Sequence, residues 1–216
     1  MPTGDTMGSL DDGAKGSGSQ AGRRSPPGRT RIMESIRSLL ADRDFHAVTV
    51  AEIARRANVT EPLIYKYFND KRDLLYTVLA EFIEQYLDPY LEDVDGVSGA
   101  LNKVRKLILT HMRMYAYDGV FARVLLLEVR SFPDYFKSET YQMVKRYTET
   151  VLSLIHEGIE SGEIRRDLPA RSILQVILGA IEHACLGAVI FKRDINVEQA
   201  TDNLCEILLI RESGSR

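Results

Sequence analysis

The sequence predicts an all-α chain built as a small basic front domain followed by a larger acidic helical domain. Three observations carry this. From Thr30 onward apolar residues recur at the spacing of one helix face through almost every segment. No stretch alternates as a half-buried strand would, and there is no glycine-rich phosphate loop and no internal repeat. Charge is also unevenly placed: residues 23–72 hold eleven Lys or Arg against six Asp or Glu, so that stretch is +5 and the remainder −8 within a net charge of −3. The imbalance asks for an anionic partner near the front, nucleic acid rather than a membrane, because no strongly amphipathic basic helix stands out. Charge alone is also compatible with a solvated face.

At 216 residues the chain can bury a sizeable core without covalent staples. Cys185 and Cys205 sit in apolar helical contexts and are read as core residues of a reducing, cytoplasmic compartment. The first residues lack the basic-then-apolar pattern of a secretory signal.

Residues 1–28 are rich in Gly, Ser and Pro and too poor in apolar groups to offset the entropy of ordering, so a disordered tail is expected. Its Arg23 and Arg24 suit a minor-groove arm, against the plainer reading of a solubilising tail. In the first helix Ile32, Ile36, Leu39 and Leu40 share a face, and the helix is expected to run to about Arg43, with Phe45 where the chain turns. Thr49 followed by Glu52 has the spacing of a reciprocal cap, which starts a second helix at Val50. A third begins at Thr60 and a fourth near Asn69 or Asp70, the latter continuing to about Leu87, where Asp88 and Pro89 disturb it. Longer helices are expected over 97–117, 120–130, 138–160, 170–191 and 197–211, with Gly162 as a stop after the third of these and Pro133 and Pro169 in the connections.

The stretch AEIARRANVTEPLIYKYF, residues 51–68, places two short helices either side of Asn58. Ile53 and Ala57 face inward, Ala54 permits close helix approach, Val59 plugs the turn, and Ile64 and Tyr67 return to the core or its edge. Asn58 tolerates the left-handed backbone such a turn needs; Thr60 is placed to cap the next helix, and Pro62 falls where a missing N–H costs little. Two helices joined this tightly are the unit that presents a second helix to a DNA major groove.

On TVAEIARRANVTEPLIYKYFNDKRDLL the chain resembles the TetR family of bacterial transcriptional regulators. The matching stretch covers about residues 29–75, and Asn58 stands where that family commonly has glycine. The resemblance implies a three-helix DNA-binding domain over 29–75 and a ligand-binding, dimerising helical domain over 76–216. It makes the segment from Thr60 to Tyr67 the recognition helix. Glu61, Pro62 and Leu63 would approach base edges; Thr49, Tyr65, Tyr67 and Lys71 would hold phosphates; Lys66 would reach either. Leu63 suits a thymine methyl, and Tyr65 has packing against the first helix as its competing role.

One module buries too little DNA for strong specificity, so a homodimer on a pseudo-palindromic operator in double-stranded DNA is expected. The last two helices carry more apolar surface than one subunit covers, and Gly179, Ala180, Ala184, Gly187 and Ala188 would let helices approach across a two-fold axis. The run ILQVILGAIEHACLGAVIF is long enough to span a bilayer, but Glu182 and His183 near its middle argue for a helix buried on nearly all sides within protein.

The middle helices are rich in aromatic and Met residues, a pattern that on its own describes a core. The resemblance implies an apolar cavity there for a hydrophobic small-molecule effector. His111, Met112, Tyr115, Phe121, Tyr147, Glu182 and His183 are the candidate lining, although neighbouring Glu182 and His183 diverge by about 100° and cannot aim at one point. RVLLLEVRSFPDYF and GIESGEIRRDL resemble the branch of the family that responds to fatty acyl thioesters. The fourth helix, joining both domains, is the expected lever. No enzyme is expected: HEGIE has Glu160 where a zinc-binding helix needs its second histidine, and His183 and Cys185 point apart. No cofactor or metal is expected. The rival reading is a helical lipid carrier or adaptor with a vestigial helix-turn-helix.

Overall fold

The computed structural model describes residues 26–94 and 96–210. The expected tail up to residue 25, with Arg23 and Arg24, lies outside them. Among the described residues nine α-helices follow one another: α1 Pro27–Leu40, α2 Val50–Ala57, α3 Glu61–Tyr67, α4 Lys71–Val94, α5 Ala100–Tyr117, α6 Gly119–Arg123, α7 Glu139–Ser161, α8 Ala170–Phe191 and α9 Val197–Leu208. No strand occurs among the described residues.

Helix α1 begins two residues inside the expected tail, because Pro27 has no N–H to leave unpaired in a first turn and its ring presets φ. It stops at Leu40 rather than Arg43. Arg43 instead pairs with Glu52 at 2.6 Å, and Phe45 drops into the core on a 3-10 turn, Phe45–Ala47. The expected reciprocal cap of α2 is present: the Glu52 N–H donates to Thr49 Oγ1 at 3.2 Å, and the Thr49 N–H donates to the Glu52 carboxylate at 2.9 Å. Those bonds, led by the one from Arg43, hold the Glu52 carboxyl down to about 2.

Helix α4 starts where Asp70 accepts the N–H groups of Arg72 and Asp73. It does not end near Leu87. The helix runs through Pro89 to Val94, because Leu91 and Val94 continue the apolar row of Leu87 against the core beyond the proline. Helix α5 begins at Ala100 rather than 97. The helix expected over 120–130 is three pieces: α6, a π turn over Val124–Glu128, and a 3-10 turn over Val129–Ser131. Ser138 caps α7, and Gly162 ends it in the left-handed conformation at φ 79°.

One continuous core results, in which Ile32, Ile36, Phe45, Ile53, Ile64, Leu74 and Leu75 close the front domain, while α5 lies centrally in the second domain, packed by α4, α7, α8 and α9. Helix α8 has the expected bounds, and the single chain covers one of its faces. Its buried row is Ile173, Ile177, Ile181, Cys185 and Val189, and only 33% of its most apolar window is covered. Val176, Ile190 and Phe191 stand out at 50%, 46% and 64% exposed, so one chain covers a single face and leaves the other for a partner. By length and composition alone α8 could cross a membrane.

Candidate functional site

The helix-turn-helix follows from its local chemistry. Asn58 takes the left-handed conformation (φ 52°, ψ 52°) without being glycine, and the Val59 N–H then donates back to the Ala54 carbonyl at 3.0 Å, closing the C-terminus of α2. Ile53, Ala54, Ala57 and Ile64 are buried, and Val59 and Tyr67 pack on them. Thr60 holds the cap position of α3 by backbone angle only: its side chain makes no capping bond, contrary to expectation, and remains exposed.

With Ile64 fixed inward, α3 turns Glu61, Pro62, Tyr65 and Lys66 outward, flanked by the partly covered Leu63 and Tyr67. Tyr65 is 53% exposed. Thr49 is exposed beside this face. Lys71 is placed differently from the others. Its Nζ donates to the carbonyls of Phe45 and Val48 at 2.9 and 2.6 Å and lies 4.2 Å from the Phe45 ring centre, and desolvation pushes its pKa down. It ties the start of α4 to the loop before α2.

A cavity of about 170 Å³ opens between α4, α5, α7 and α8. His111, Tyr115, Tyr147 and Glu182 line it as expected; Met112, Phe121 and His183 do not. Met112 lies on the face of α5 turned toward α9, where its sulfur is 3.5 Å from the Thr201 hydroxyl. Phe121 stacks on Phe82 with ring centres 4.1 Å apart, beside α1, and His183 is exposed on the outer face of α8. The wall also includes Tyr135, one of the aromatic residues of the middle segment, and Arg130, Ile83, Leu87 and Leu178, which the sequence did not single out for the cavity. Arg130 and Glu182 face each other through two hydrogen bonds, 2.9 and 2.5 Å, so the charged pair forms one corner of an otherwise apolar space. Burial pushes the His111 imidazole down to about 4, opposed by Glu182 and assisted by Arg130. His111 is therefore neutral at physiological pH, with Nδ1 3.3 Å from the Tyr147 hydroxyl.

The segment after α5 touches both domains. Asp118 pairs with Arg37 of α1 at 2.5 Å, and Arg123 pairs with Asp44 at 2.6 Å while donating to the carbonyls of Leu40 and Arg43 past the end of α1. Phe132 packs edge-on against Phe45 and His46, under the Arg72 guanidinium.

The family model described as bacterial regulatory proteins, tetR family, matches residues 32–78, and that described as YsiA-like protein, C-terminal region, matches residues 79–211. The chain belongs to the TetR family. This TetR-family chain is 27% identical over 183 residues to the fatty acid metabolism regulator protein of Bacillus subtilis (strain 168), covering 85% of this chain and 94% of that one. The crystal structure of the Bacillus subtilis regulator FadR in complex with stearoyl-CoA is similar at a TM-score of 0.75 and 27% identity, over 87% of this chain and 99% of that one. AibR, solved with isovaleryl coenzyme A and operator DNA, shares the fold at a TM-score of 0.66 and 16% identity, over 84% and 97% of the two chains. These relatives are regulators rather than enzymes.

Proposed function

We propose that this TetR-family protein is a homodimeric repressor of the bacterial cytoplasm, held on a pseudo-palindromic operator and released by a fatty acyl thioester. The observation that carries the reading is the cavity: an apolar space with one charged corner, walled by the helix that continues from the DNA-binding domain, in a chain similar to a regulator solved with stearoyl-CoA. Its volume of about 170 Å³ is below the roughly 300–1,000 Å³ usual for ligand pockets. An acyl chain must therefore push the walls apart, which gives it the different affinities for two conformations that release requires.

In this reading residues 29–75 form the DNA-reading domain and 76–216 the effector and dimer domain. Glu61, Pro62 and Leu63 approach bases, Thr49, Thr60, Tyr65 and Tyr67 hold phosphates, and Lys66 reaches either. Lys71 first positions the loop before α2. The apolar face of α8 around Gly179, Ala180, Ala184, Gly187 and Ala188, with Ile207 of α9 at 65% exposed, meets its copy across a two-fold axis. Purified protein should select a two-fold symmetric sequence from random duplexes at low salt, lose it steeply as salt rises, and release it with stearoyl-CoA but not with free coenzyme A. Failure to select any symmetric site sinks the proposal.

A further inference from the structure

The segment between α5 and α7 carries a cavity wall and a domain seam within three residues of each other. Arg130 faces the cavity and is held by Glu182 of α8. Two residues earlier, Glu128 faces the DNA-binding domain with its side chain 12% exposed. Its Oε2 accepts the Phe45 N–H at 2.8 Å, and its Oε1 lies 3.4 Å from the Arg123 guanidinium. The carbonyl of that same Phe45 accepts from Lys71 at 2.9 Å. The buried Phe45 is thus gripped at both ends of its backbone, from the effector domain through Glu128 and from α4 through Lys71. Four residues later Thr49 caps α2, the first helix of the DNA-reading pair.

Glu128 is the last residue of the π turn, in which the Val129 N–H reaches back to the Val124 carbonyl. A π turn holds one residue more than an α turn, so this stretch can rewind toward α-helix without breaking the chain. Leu125 on that turn lines the cavity. Displacing Leu125 or Arg130 outward moves Glu128, and the only neutral-to-charged bond of the Phe45 N–H among the described contacts moves with it.

We infer that Glu128 is the positioning residue through which the cavity acts on α2, by gripping the Phe45 N–H, along a route that does not run the length of α4. The inference rests on the proposed function, since it needs an effector that enters the cavity. Glu128 would touch neither effector nor DNA.

The test measures operator Kd with and without saturating stearoyl-CoA in the wild type, Glu128→Ala and Glu128→Gln. The wild type should be weakened within the ordinary coupling range, roughly 5- to 150-fold. In Glu128→Ala the factor should fall to less than about twofold while stearoyl-CoA still binds by calorimetry. Glu128→Gln keeps an acceptor oxygen for the Phe45 N–H and should keep most of the response. A residue with only a structural role would lower the melting temperature of Glu128→Ala and leave the factor unchanged, which overturns the inference. Should Glu128→Ala fail to fold, amide exchange in the wild type decides: stearoyl-CoA should speed exchange at Phe45, and unchanged exchange overturns the inference. A wild type that keeps its operator in stearoyl-CoA overturns the proposed function, and the inference falls with it.

Discussion

Lys71 places its ammonium 2.6 Å from the carbonyl oxygen of Val48, so the residue assigned to the phosphate backbone by family resemblance also fastens α4 to the entrance of α2. Lys71→Met would leave the Phe45 and Val48 carbonyls without that donor, at a cost of about 1–3 kcal/mol in chemical denaturation. Operator affinity should fall together with stability. Full stability with lost affinity would show that Lys71 serves DNA alone.

Lys66 is the counterpart on α3, exposed and outside the core. Lys66→Ala should leave stability within about 0.5 kcal/mol of wild type. Measured over a salt series, its operator binding should weaken and the slope of log affinity against log salt should flatten by about one. An unchanged slope would remove Lys66 from the phosphate contacts and leave it to base recognition or to none.

The parts of the fold legible in the sequence are those whose causes are local. The reciprocal cap of Thr49 and Glu52, the left-handed Asn58 and the inward row of Ile53, Ala57 and Ile64 depend on spacing of a few residues, and all are present. Pro89 misled because the apolar row beyond it decides the end of α4, outweighing one lost backbone bond. The cavity was half legible. His111 and Tyr115, four apart, share a helix face, but Met112 is turned away by one residue's rotation. Nothing local marks Arg130 as a cavity residue, because its partner Glu182 stands 52 residues further on. Helix α8 reads as buried on nearly all sides only when a core and a partner subunit are counted together, and the single chain supplies the core side alone.

Gly179 gives a test of that missing partner. A Cβ built there meets nothing within 4 Å in the single chain, so Gly179→Arg should stabilise the protomer helix by roughly 1 kcal/mol or less, because arginine is a better helix former than glycine. Across a two-fold axis the same guanidinium would have to enter an apolar face twice. Sedimentation should therefore show a dimer for wild type and a monomer of unchanged helicity for Gly179→Arg, with operator binding lost. A variant that still sediments as a dimer would move the interface away from this face of α8.

His111 makes stability depend on pH in a direction opposite to that of a histidine gaining an acidic partner. Burial is the dominant cause, and it holds the folded imidazole at about 4 against an ordinary 6.5. As pH falls through this window the unfolded chain takes up a proton that the folded chain refuses, so stability that is complete above 6.5 is lost progressively toward 4. The loss attributable to this residue is on the order of 3 kcal/mol across the window. His111→Gln has no such proton to refuse. Denaturant titrations at pH 7, 5.5 and 4.5 should show wild type falling faster than His111→Gln, and parallel decline would mean that the folded imidazole takes up its proton as readily as the unfolded one. An acyl chain displacing the Arg130–Glu182 pair would alter the charges facing His111, so repeating the titration with stearoyl-CoA should shift the window. Its direction reports which member of the pair stays near the ring: Glu182 alone would raise the imidazole pKa and narrow the window, whereas Arg130 alone would lower it and widen the window.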